Sequence, residues 1–195
     1  MKGIQLLVIT VFSAAFLSFT PEHKKLIIID AGHGGSDMGA NRNGIYEKNI
    51  VLNIGKEIQK LNSSQDKYEI ILTRDSDTYN QLTDRTTLIN KLNPELVISL
   101  HVNSSPDMES LQQGSEIYTQ NTEASKNLAE RISKKFNVQK IEEKNLHILR
   151  ESKAPAILME LGFINNVKDL EYLTSEKGQK EVAQKFADVF NEYTE

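Results

Sequence analysis

A chain of 195 residues with 38% hydrophobic and 26% charged side chains is long enough for one domain with a sizeable core and too short for two large ones. A formal charge of −4 gives no general attraction to nucleic acid, and Lys134-Lys135 reads as an exposed helix face. The absence of cysteine excludes a cysteine nucleophile, a thiolate metal site and a lipid-modified cysteine, so any metal must be held by His, Asp or Glu.

Residues 1–20, MKGIQLLVITVFSAAFLSFT, combine a short basic start with an apolar stretch from Ile4 to Leu17. That length and order predict a secretory signal peptide, with an uncleaved N-terminal anchor as the alternative. The chain is therefore expected to be exported, to the periplasm or cell envelope, or held at the membrane by that segment. Residues 21–24 form a short linker, and the catalytic-size domain is expected over 25–195.

The first strand of that domain is predicted over Lys25–Asp30, followed by a loop rich in glycine, Ala31–Tyr46, that lets backbone approach a ligand closely. Glu47 opens a helical pattern with Ile50, Ile54, Ile58 and Leu61 on one face. A strand at Tyr68–Thr73 leads through Arg74-Asp75-Ser76-Asp77 to a helix around Thr83–Leu92, which Asn93-Pro94 ends. The aliphatic run Glu95–His101 reads as the next strand, Gly114–Thr119 as another, and Glu123–Asn137 as a helix with Leu128, Ile132 and Phe136 on one stripe. Asn145–Glu151 is expected to be extended and to feed the strand Pro155–Gly162. From Asn166 onward the pattern is helical, with Val182, Phe186, Val189 and Phe190 as its core face. Alternating strands and helices predict a single α/β domain built on a mostly parallel twisted sheet with helices on both faces.

Three of the aliphatic runs end in side chains able to bind metal or move protons: KLIIIDAGH at His33, ELVISLH at His101 and PAILMELG near Glu160. Runs of this kind read as buried parallel strands, and their carboxyl ends line the ligand crevice of an open α/β sheet. The three residues should therefore converge, which points to metal-assisted hydrolysis. A hydrolytic zinc site takes three protein ligands and leaves one position for water, so an acid must join the two histidines. Glu47, Asp30 and Asp37 all qualify by position, although an acid in the first turn of a helix is also ordinary dipole chemistry. Glu160, charged within an aliphatic strand, belongs either to a site or to an ion pair with a buried base such as Arg150.

The segments IIIDAGHGGSDMGA, Tyr46-Glu47-Lys48, ILTRDSD, ELVISLHVNSS and PAILMELGFINN, in this order, resemble the zinc-dependent N-acetylmuramoyl-L-alanine amidases of the amidase-3 family. The resemblance runs from Lys25 to the C-terminus. It implies that His33, Glu47 and His101 bind one Zn2+ ion, that Glu160 is the catalytic carboxylate, and that Arg150 contacts substrate. The implied substrate is peptidoglycan, cut between the lactyl carbonyl of N-acetylmuramic acid and the stem peptide's L-alanine. The connections between Gly114 and Pro155 are too short for the long helical insertion that covers the site in regulated relatives. No obligatory activator is expected, and the protein is expected to be a monomer.

Two other classes compete with this reading. A catalytically dead binding protein conflicts with four key side chains standing in place. A dinucleotide-binding turn fails because Asp37 occupies the position of the third glycine in G-x-G-x-x-G, and no phosphate-loop motif occurs. Similar ligands also serve zinc peptidases and carbohydrate deacetylases, which only the family resemblance sets aside.

Overall fold

The computed structural model describes residues 24–64 and 67–193. The expected export segment over 1–20 and the linker up to residue 23 lie outside the described residues. Among those described, no helix is long and apolar enough to cross a membrane.

The elements follow one another as β1 (Lys25–Ala31), β2 (Asn41–Arg42), β3 (Ile45–Tyr46), α1 (Glu47–Leu61), β4 (Tyr68–Leu72), α2 (Leu82–Leu92) and β5 (Leu96–Asn103). They continue as β6 (Ser115–Thr119), α3 (Glu123–Ser133), β7 (Val138–Glu143), α4 (His147–Glu151), β8 (Ala156–Phe163), α5 (Val167–Thr174) and α6 (Glu176–Tyr193). A six-stranded sheet in the order β4-β1-β5-β8-β6-β7 forms the centre. Strands β4, β1, β5 and β8 run parallel, while β6 lies antiparallel to β8 and parallel to β7.

The strands are aliphatic on both sides because both faces are covered. Ile27 and Ile29 of β1 point to one face, where they join Ile50, Ile54 and Ile58 of α1 and Val182, Phe186, Val189 and Phe190 of α6. Ile28 points to the other, with Ile89 of α2 and Ile148 and Leu149 of α4. Phe186 and Phe190 are fully buried, and truncating either to Ala costs about 3–5 kcal/mol by the usual scale for core aromatics.

The chain leaves β1 through α1 on one face, crosses back from β4 through α2 on the other, and enters β5 beside β1. The β1–β5 junction is thus the topological switch point, where the open ends of the strands form a crevice.

The expected sheet and most elements are present, with four local differences. Leu61 is 42% exposed, because the four-residue spacing of Ile50, Ile54 and Ile58 continues to Asn62. Asn62 is buried and accepts a hydrogen bond from the Tyr68 hydroxyl at 2.6 Å. The helix expected to reach Asn137 ends at Ser133, and the chain turns into β7, an edge strand whose exposed VQKIEE sequence carries no apolar alternation. The segment expected to be extended over Asn145–Glu151 contains α4, a five-residue helix too short to show a period, which buries Ile148 and Leu149. The C-terminal helical region is split at Ser175 into α5 and α6.

Candidate metal centre

Two histidines and a carboxylate meet at the ends of β1 and β5. Glu47 Oε1 lies 3.1 Å from His33 Nε2 and 2.9 Å from His101 Nδ1. Among the described residues, His33, Glu47 and His101 are the one group of ligand side chains close enough to hold an ion, with candidate atoms within 4.8 Å of one another.

Each side chain is positioned by its backbone. His33 adopts φ 59°, a left-handed conformation that histidine tolerates better than most residues but that still needs support. Two buried arginines provide it: Arg85 donates to the carbonyls of Ala31 and His33 at 2.7 and 2.6 Å, and Arg74 donates to those of Ala31 and Gly32 at 2.9 and 2.8 Å. Arg74 also reaches the Lys48 carbonyl at 2.9 Å, tying the first turn of α1 to the same loop. Glu47, the first residue of α1, accepts from Val102 N at 3.0 Å through Oε1 and from Ala40 N at 2.8 Å through Oε2. His101 sits beside an irregularity in β5 between His101 and Asn103, the kind of bulge that re-aims a side chain at a strand end.

Two glycines fit closely around these ligands. A Cβ on Gly32 would lie 2.6 Å from His101 Nε2, and one on Gly39 would lie 2.7 Å from the His33 ring. Gly32 and Gly39 are required by this cradle, since a side chain at either would displace a ligand.

Asp30 and Asp37, which share Glu47's general location, stand differently. Asp37 Oδ2 lies 2.9 Å from His33 Nδ1, on the ring nitrogen away from Glu47, without hydrogen-bond alignment. Asp30 is buried below the site, where it accepts from Arg85, Thr73 and Ser99 at 2.8, 2.6 and 2.7 Å. Burial would raise its pKa, but Arg85 and these hydrogen bonds outweigh it and hold the carboxyl below its ordinary value.

Glu160 is the register partner of His101 across β5–β8, and of Glu116 across β8–β6. Its Oε2 is buried without a hydrogen-bond partner. Burial pushes its pKa up to about 7; the nearby carboxylates of Glu47 and Glu116 act in the same direction, and His101 acts against them. Glu47 behaves oppositely: burial would raise it, but hydrogen bonds and charge from His101 and His33 pull it well below the usual carboxylate range. Burial lowers the pKa of His33, yet Glu47 and Asp37 more than compensate and raise it to about 9.

Arg150 is not joined to Glu160. It is exposed, bonds Glu151 Oε1 at 2.8 Å and Asn145 Oδ1 at 3.1 Å, and approaches His147 Nδ1 at 3.4 Å. His147 in turn lines a cavity of about 210 Å³ with His33, His101, Tyr79, Leu82 and Leu146. Arg150 itself does not line that cavity; it lines a separate surface hollow with Asn145, Leu149 and Ser152.

The clamps Arg74 and Arg85 have no counterpart among the candidate residues read from sequence, because arginine in a loop or helix ordinarily reads as exposed. Arg85 carried one signal: it lies four and seven residues before Ile89 and Leu92, on the helix's apolar stripe.

A family model described as N-acetylmuramoyl-L-alanine amidase matches residues 27–191. The endolysin of Bacillus phage SPP1 is 33% identical over 173 residues, covering 84% of this chain and 64% of the relative. The sporulation-specific N-acetylmuramoyl-L-alanine amidase of Bacillus subtilis (strain 168) is 34% identical over 158 residues, covering 75% of this chain and 59% of the relative. This chain thus spans less than two thirds of the length of both relatives. The catalytic domain of CwlV, an amidase from Bacillus (Paenibacillus) polymyxa var. colistinus, superposes with a TM-score of 0.81 at 34% identity, covering 87% of this chain and 97% of that one.

Proposed function

This chain belongs to the N-acetylmuramoyl-L-alanine amidase family, and on that premise we propose that it hydrolyses the amide between N-acetylmuramic acid and L-alanine of peptidoglycan. In this reading His33, Glu47 and His101 hold one zinc ion. Two imidazole nitrogens and a carboxylate suit zinc by ligand type, and the crowding of Gly32 and Gly39 against them keeps the ligands in place. The chemistry supplied by an ion held there is Lewis acidity, which polarises the carbonyl and lets water attack at neutral pH.

Glu160 takes a proton from the attacking water as the new C–O bond forms. It then delivers that proton to the departing nitrogen as the C–N bond breaks, leaving a lactyl carboxylate and a stem peptide with a free amine. The observation that carries this role is the unpartnered Glu160 Oε2 next to His101 on the adjacent strand. Burial without a hydrogen-bond partner raises the carboxylate's proton affinity, which suits a group that must accept and return one proton in each turnover. His33 is kept in position by the Arg85 bond to its carbonyl, and Glu47 by two backbone N–H groups, so neither need reorganise during the reaction.

We assign Arg150 to substrate contact on the family resemblance and its approach to His147, which lines the cavity, and read residues 1–20 as an export signal that delivers the protein to the cell envelope. The protein acts as a monomer without an activator. Mass spectrometry of purified peptidoglycan digested by the full chain alone tests the assignment. Intact stem peptides with a free L-alanine amine are expected; cleavage within the peptide, or release only after a partner protein is added, would contradict it.

A further inference from the structure

We infer that the stem peptide lies on the β6 side of Glu160, in a polar groove of about 630 Å³ between the loop before β6 and the start of β7. The inference rests on the amidase reading and gives the substrate a direction across the sheet. Gly32, just past the end of β1, forms one row with His101, Glu160 and Glu116 of β5, β8 and β6. The scissile carbonyl belongs over the histidine end of that row. Glu160 must reach the nitrogen leaving it, so the amine side of the bond points toward β6.

The groove begins there. Glu116 lines it together with Gln112, Gln113, Asn137, Gln139 and Lys140. The side-chain amides offer both donors and acceptors, which suits the alternating N–H and C=O groups of a peptide. Lys140, Glu116's register partner on β7, adds a cation that is ion-paired with Glu142 at 2.7 Å on an exposed edge, a pair that a carboxylate of an acidic stem can exchange into. The side of the site next to α2 and α4 has a different character: Tyr79, Leu82, Leu146 and Ile148 make it largely apolar.

The groove is built in advance of any ligand. Gly114, at φ +95°, brings the loop so close to the start of β7 that a Cβ there would lie 2.9 Å from the Asn137 carbonyl. Gly114 N donates to Asp169 Oδ2 at 3.0 Å, and Asn166 Nδ2 to the Ser110 carbonyl at 3.0 Å, anchoring the loop to α5. Glu116 is held by Tyr118 OH at 2.6 Å and Asn103 Nδ2 at 3.1 Å. Binding therefore orders little additional structure.

The test titrates the full chain, stripped of metal with a chelator, with a free stem tripeptide of L-alanine, D-glutamate and a diamino acid while NMR follows the backbone amides. Shifts concentrated at Gln112–Glu116 and Asn137–Lys140 are expected; shifts at Tyr79, Leu82 and His147, or none, overturn the inference. In parallel, kcat/KM is measured with zinc on muramoyl-tripeptide and on muramoyl-L-alanine. Lys140→Met and Gln139→Ala should each lower the tripeptide-to-alanine ratio about fivefold, as loss of a substrate contact does, whereas Leu82→Ser should leave that ratio as in wild type. An unchanged ratio in both groove variants refutes the subsite. Failure of the wild type to cleave either substrate sinks the amidase reading and the inference together, while cleavage with shifts on the α2/α4 side sinks the inference alone.

Discussion

Asp30 and Glu160 are acids on central strands of one sheet, in adjacent layers of the same face, and they end in opposite conditions. Asp30 stands beside Ser99, and Glu160 beside His101 two residues further along β5. Asp30 has an arginine and two hydroxyls on its oxygens and is held ionised. Glu160 has a buried oxygen without a partner and a pKa pushed up to about 7. Burial alone therefore does not mark a functional acid. The partners decide: a saturated carboxylate is part of the frame, and one left short of partners is available for proton transfer.

The largest expected effect comes from dismantling the upper layer. His101→Ala should lose stoichiometric zinc, read by metal analysis, and lower amide cleavage by at least about 10³-fold, since binding and Lewis acidity vanish together. Substitution in the lower layer should instead break the fold. Asp30→Asn leaves the Arg85 charge buried without its counter-ion and should cost about 3–5 kcal/mol in denaturant unfolding. If Asp30→Asn kept full stability and lost only activity, the division between frame and site would be wrong.

A smaller effect separates the two acids by pH in chelator-treated protein. Asp30's folded pKa is depressed, so its contribution is present above the unfolded carboxyl value and is lost as pH falls through the lower folded value. Glu160's is raised to about 7, so its contribution is complete below the unfolded value and is lost as pH rises from there to about 7. Thermal unfolding of Glu160→Gln across that interval should show a flatter pH dependence than wild type; parallel curves would mean that Glu160 does not titrate as its surroundings imply.

The same contrast explains what could be read from sequence. Parallel strands buried on both faces are nearly continuous aliphatic runs, so His33, His101 and Glu160 stood out as exceptions at their ends, and the switch-point rule brought those ends together. The helix-opening position of Glu47 is legible, but position does not separate it from Asp30 and Asp37; only the family resemblance does, because the path of the loop that returns it to the strand ends follows no periodicity. Arg74 and Arg85 stayed hidden because they bind backbone carbonyls, which carry no residue identity. Strand β7 and helix α4 escaped for another reason: one is an exposed charged edge and the other a single short turn, so neither shows an amphipathic period.

The central claim is that the trio holds the metal while Glu160 moves the proton. Its most direct test is zinc content and amide cleavage measured side by side on wild type and Glu160→Gln. One zinc per chain in both proteins, with cleavage by the variant lowered about 10²–10⁴-fold, is the predicted result. Near wild-type turnover in a zinc-loaded Glu160→Gln would contradict it.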